Sequence, residues 1–128
     1  MAGERDLQKL LAGMRPIRNA GEYVFCTTAT LPTDLKPVAT MTEAEGLSLV
    51  LRKEDADRYQ LSYEYVAAWI TLQIHSALDA VGLTAAISRR LTDEGISCNV
   101  VAGYHHDHLF VAVEDADRTL RALSALSS

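Results

Sequence analysis

The sequence lacks any surplus of positive charge and any long hydrophobic run. Its 12 lysines and arginines stand against 17 aspartates and glutamates, for a formal net charge of -5. Affinity for nucleic acid or an anionic membrane depends on clustered positive charge, so neither is expected as a partner. The longest apolar segment, Tyr65 to Ile74, is interrupted by Thr71 and Gln73 and is too short to cross a bilayer. The opening residues Met1-Ala2-Gly3-Glu4-Arg5-Asp6 lack the apolar stretch of a signal peptide. Cysteine is scarce too. Cys26 and Cys98 lie far apart in apolar segments, with no C-x-x-C or metal-ligand spacing, and read as buried free thiols in a reducing cytosol. A cytoplasmic protein is expected. G-x-S-x-G, P-loop and G-x-G-x-x-G motifs are all missing, so the chain is expected to be neither an enzyme nor the carrier of a cofactor.

What the chain does have is apolar residues, 48% of 128, enough to bury a core without disulfides or metal. Leu7, Leu10, Leu11 and Met14 recur at helical spacing until Pro16 stops the pattern. Tyr23 to Thr28 is aromatic and β-branched and reads as a strand. A loop with Pro32 and Pro37 follows, then a helical turn is expected over Thr40–Glu45, ended by Gly46. Leu47, Leu49 and Leu51 alternate as a second strand, and Lys53 to Tyr59 opens as a short helix with acidic residues in its first turn. Val66, Ala68, Ile70, Leu72 and Ile74 share one face of a long strand expected to run to His75. Leu83, Ile87 and Leu91 mark a helix capped by Gly95, Ile96 to Ala102 a strand, Gly103 to Asp107 a hairpin turn, His108 to Val113 the returning strand, and Ala116 to Leu126 a last helix.

The second half is thus β-α-β-β-α, most of a ferredoxin-like unit. Glu54-Asp55-Ala56-Asp57-Arg58 recurs as Glu114-Asp115-Ala116-Asp117-Arg118, each copy after an apolar strand and at the start of a helix, which points to duplication. The strand Val66–His75 can close the first unit, open the second, or do both. The helix of the first unit that would match Leu83–Glu94 is either Leu7–Met14 or absent.

Three groups of residues could carry chemistry. The segment from Ser76 through Asp79, Val81, Gly82 and Leu83 joins a strand to a helix, and amides at a helix start can take a carboxylate or phosphate where glycine permits close approach. Ser76 and Asp79 equally suit the ordinary role of caps. Asn99, beside Ser97 and Cys98, interrupts an apolar strand as a structural hydrogen-bonding residue or a ligand contact. His105, His106, Asp107 and His108 are residue types that bind zinc, but adjacent strand positions face opposite sides, so only His106 and His108 could converge.

The segments Leu72 to Ile87 and Gly95 to Val111 resemble the ACT domain, a βαββαβ regulatory module, and the likeness covers about residues 64–126. The whole chain is similar to small bacterial stand-alone proteins with two ACT-like units, and to the regulatory pairs of aspartate kinases and eukaryotic arginine sensors. The resemblance implies an α+β ferredoxin-like fold in two tandem units with antiparallel sheets, a truncated one over 1–62 and a complete one over 63–128. It implies an amino-acid effector held at an interface between ACT domains by Asp79, Val81, Gly82 and Leu83 of the loop and Ser97, Cys98 and Asn99 of the facing strand, with Ser76 at the loop's start. It also implies a homodimer or higher oligomer. The alternatives are an assembly module of the same fold that has lost its ligand, and a metal-dependent enzyme built on His105–His108.

Overall fold

A computed structural model describes residues 3–74 and 77–127. Asp6 starts the first helix, α1 (Leu7–Gly13), by accepting the Lys9 amide at 3.1 Å. The remaining elements are β1 (Pro16–Arg18), β2 (Tyr23–Thr28), β3 (Ala39–Glu43), β4 (Gly46–Arg52), α2 (Lys53–Arg58), β5 (Val66–Leu72), α3 (Leu83–Asp93), β6 (Cys98–Ala102), β7 (Asp107–Ala112), a short 3-10 turn (Val113–Asp115) and α4 (Ala116–Leu126). No helix among the described residues is long and apolar enough to cross a membrane. The chain forms two compact units, one of Ala20–Ala67 and one of Met1–Asn19 with Ala68–Ser128.

In the unit Ala20–Ala67 the hydrogen-bonded order is β3, β4, β2 and the first residues of β5. β2 runs antiparallel to β4, with Cys26 opposite Leu49, and its start pairs with β5 through Tyr23–Ala67 and Val24–Val66. Val24, Cys26, Leu35, Leu49, Leu51 and Ala56 make its core. Thr40–Glu45 is not the helical turn expected from sequence. Ala39–Glu43 is a strand folded onto β4, with Glu43 paired to Gly46. Four of its five residues are exposed, so it carries no apolar alternation to announce it. The order of elements is β, loop, β, β, α, β, with the proline-bearing loop where a first helix would stand.

The other unit repeats that order with its helix in place. β5, α3, β6, β7 and α4 follow in sequence, β7 lies between β5 and β6, and β6 runs antiparallel to β7. The fourth strand comes from earlier in the chain: β1 pairs antiparallel with β5, Ile17 opposite Thr71. The fold is therefore α+β and ferredoxin-like in both units, and β5 closes one and opens the other. Leu10 of α1 and Met14 just after it join Ile70, Leu72, Leu83, Ile87, Leu91 and Leu123 in one core.

Two boundaries differ from expectation. β5 ends at Leu72, because the Ile74 amide turns back to the Leu72 carbonyl at 2.8 Å; His75 lies outside the described residues. β6 begins at Cys98, because the amides of Gly95 and Ile96 close the end of α3 on the carbonyls of Thr92 and Leu91 at 2.9 and 2.8 Å. The repeated pentapeptide does the same physical work twice. Ala56 and Ala116 are both buried, and Arg58–Asp55 and Arg118–Asp115 form matching pairs three residues apart, at 3.6 and 3.0 Å.

Candidate functional site

The loop between β5 and α3 owes its course to one glycine. Gly82 is the N-cap of α3 at φ +104, with no side-chain hydrogen bond capping the helix. A Cβ there would stand 3.1 Å from Leu7 Cδ2. Left-handed backbone costs a side chain energy, so Gly82→Ala is expected to lower stability by about 1–3 kcal/mol, read as a lower urea midpoint.

Ahead of Gly82, the Ala77 amide donates to the Glu4 carbonyl at 3.0 Å and the Ala80 amide to the Ala77 carbonyl at 3.0 Å. Asp79 meets Arg5 Nη2 at 2.9 Å, and this hydrogen bond holds its carboxyl below the usual carboxylate range. Leu78 and Val81 point outward, 70% and 85% exposed. Ala77, Leu78, Ala80, Leu83 and Thr84 enclose, with Ala102 and Asp107, a shallow cavity of about 90 Å³.

Of the residues singled out from sequence, Asp79, Val81, Gly82 and Leu83 fall together in this loop, Leu83 as both core residue and cavity wall. Ser76 lies outside the described residues. Ser97, Cys98 and Asn99 are elsewhere. The cavity touches β6 at Ala102, whereas Cys98 opens that strand, four residues or about 13 Å away. Burial pushes the Cys98 thiol up, which disfavours the thiolate a nucleophile needs. Arg5 and Ala102 carried no signal in the sequence, and Asp107, singled out there only with the histidines as a metal-type residue, lines this cavity instead.

The histidine-rich hairpin is divided rather than convergent. The Gly103 amide donates to the His106 carbonyl at 2.9 Å, and His105 meets the Tyr104 ring edge-on at 5.1 Å. His108 faces β5, its Nδ1 3.0 Å from Trp69 Nε1 and 3.1 Å from Thr71 Oγ1. Asn19 Nδ2 donates to Thr71 Oγ1 at 2.9 Å, so the threonine hydroxyl proton can only share the single Nδ1 lone pair with the indole N–H. Among the described residues no three His, Cys, Asp or Glu side chains are grouped to hold a metal.

Comparison with known proteins places these elements. Residues 2–68 match one ACT-domain model and residues 64–125 another. A Vibrio cholerae protein of unknown function, described as a possible transport protein, is 46% identical over 95% of this chain and 96% of its own, with a TM-score of 0.86. An Agrobacterium tumefaciens protein is 21% identical over 89% of both chains, TM-score 0.70. An aspartate kinase from Clostridium acetobutylicum, described as an allosteric enzyme, shares the fold at 11% identity and TM-score 0.62, over 91% of this chain and 34% of that one. No curated protein matches the sequence.

Proposed function

This chain belongs to the ACT-domain family, and from that premise we propose that it is a cytoplasmic regulatory protein without catalytic activity, binding a free amino acid between two copies of itself. The observation that carries the reading is the separation of the loop cavity from Ser97, Cys98 and Asn99. Among the described strands β6 pairs only with β7, so its outer edge is available to a second chain. Two β6 edges paired antiparallel about Val100 would set Cys98 of one copy opposite Ala102 of the other. Ser97, Cys98 and Asn99 of the second copy would then roof the cavity beside Asp79, Val81, Gly82 and Leu83.

The chemistry suits a zwitterion. An α-carboxylate is attracted to the N-terminal amides of α3, which no side chain caps. An α-ammonium suits the Asp79 carboxylate and the Asn99 side-chain carbonyl. The outward Leu78 and Val81 gain cover when a ligand or partner closes the loop.

The test is a thermal-shift and calorimetric screen of the twenty amino acids, with sedimentation run in parallel. At least one is expected to raise the melting temperature at millimolar concentration, and the protein to sediment as a dimer of 14.0 kDa chains. Val100→Lys, which sets two ammonium groups against each other at the two-fold, is expected to give monomers and abolish the ligand response. No shift with any amino acid overturns the reading; a full response from monomeric Val100→Lys overturns the shared site.

A further inference from the structure

We propose that Arg5, in the segment ahead of α1, determines the loop site's specificity by recognising a ligand's carboxylate, an inference that rests on the amino-acid reading above. The segment and the first residue of α1 meet the loop at three points. The Glu4 carbonyl accepts the Ala77 amide at 3.0 Å. Arg5 Nη2 meets Asp79 Oδ1 at 2.9 Å and Oδ2 at 3.1 Å. The Leu7 side chain stands where a Cβ on Gly82 would approach it to 3.1 Å. Arg5 is therefore carried by the backbone that shapes the loop, not by a free tail.

Its hydrogen-bonding capacity is only partly used. Glu4 is turned away, its Oε2 accepting the backbone amides of Arg5 and Asp6 at 2.9 and 3.1 Å. Asp79 engages a single guanidinium nitrogen, Nη2, of a planar group with five N–H donors. The arginine side chain is 58% exposed, so the rest of the fork is open to a second, bidentate carboxylate.

The cavity needs such a cation. Among the described residues its walls contain no base, and their one charged residue is Asp107. With Asp79 adjacent, a ligand carboxylate would meet two acids and only the partial positive charge of a helix end. Arg5 supplies the full charge, while Asp79, held in place by it, offers its outer lone pairs to an ammonium. The pair presents opposite charges side by side, matched to the two ends of an α-amino acid.

An exposed ion pair contributes little to stability, so Arg5→Gln separates recognition from folding. Wild type, Arg5→Gln and Arg5→Lys are titrated calorimetrically with the twenty amino acids and their carboxamides, with melting curves as the folding control. Wild type is expected to prefer the acid over its amide. Arg5→Gln is expected to weaken acid binding about tenfold or more while holding the amide within about twofold, and Arg5→Lys to recover part of the loss, having charge without the fork. Arg5→Gln that keeps the wild-type preference overturns the role of Arg5 alone, as does a wild type that binds acid and amide equally. A wild type that binds neither overturns the amino-acid reading, and the role of Arg5 with it.

Discussion

Leu10→Ala is expected to lower the unfolding free energy by about 2–5 kcal/mol, the range for truncating a buried leucine that leaves a cavity. Leu10 is fully buried, and apart from Met14 and Ile96 the buried core it belongs to is built from α3, α4, β5 and β7. Trp69, the one tryptophan, stands on β5 of the same unit, so urea denaturation followed by its fluorescence reads the effect directly. Lys9→Ala, one position away on the exposed side of α1, should change the unfolding free energy by no more than about 0.5 kcal/mol. A loss of under about 0.5 kcal/mol for Leu10→Ala would contradict the placement of α1 in this core. The substitution also bears on the loop, because α1 carries Leu7, the neighbour of Gly82, and anchors the segment that holds Asp79. Ligand response and stability should weaken together.

That dependence of the second half on the first residues is the part of the fold least legible in the sequence. α3 and α4 announce themselves because one face of each is buried and apolar residues recur every three to four positions. β5 and β7 announce themselves by apolar and β-branched content. β1 has three residues, two of them exposed, and is a strand only because β5 offers its edge. β3 is exposed on both faces, so its pairing with β4 leaves no pattern in the residues. The duplicated pentapeptide was visible because one side chain in it, Ala56 or Ala116, must fit a buried space and one arginine must reach back three positions. The same division holds for the site. Gly82 and Asp79 were legible because a strand-to-helix turn needs a glycine or a cap, whereas Ala102 and Asp107 reach the loop through strand order and Arg5 through the segment ahead of α1. The pairing of Asp79 with Arg5, 74 positions apart, has no local trace. For the histidines, spacing suggested that His106 and His108 share a face, but only the third dimension shows that His108 is committed to Trp69 and Thr71.

His108→Ala is expected to cost about 0.5–1.5 kcal/mol at neutral pH, for the one Nδ1 lone pair that accepts the Trp69 indole proton, and to remove a pH dependence that the wild type shows. An indole N–H only donates, so the Nδ1 that faces Trp69 Nε1 at 3.0 Å must accept, and the imidazole is neutral with its proton on Nε2. Protonation would set two N–H groups against each other and release the Thr71 hydroxyl as well. Burial pushes the His108 pKa below its ordinary 6.5, the neighbouring His106 lowers it further, and Asp107 opposes both. Its other neighbours in the network, Trp69, Thr71 and Asn19, carry no charge. The folded state thus binds this proton less readily than the unfolded state. The stabilisation is fully present above about pH 6.5, the unfolded value, and is lost as pH falls through the lower folded pKa. The measurement is the urea midpoint against pH for wild type and His108→Ala, with Trp69 emission as the reporter. The two curves should run parallel above pH 7 and converge on acidification, as the wild type loses what the variant never had. Curves that stay parallel into the acid range would show that the Trp69 contact does not depend on a neutral imidazole.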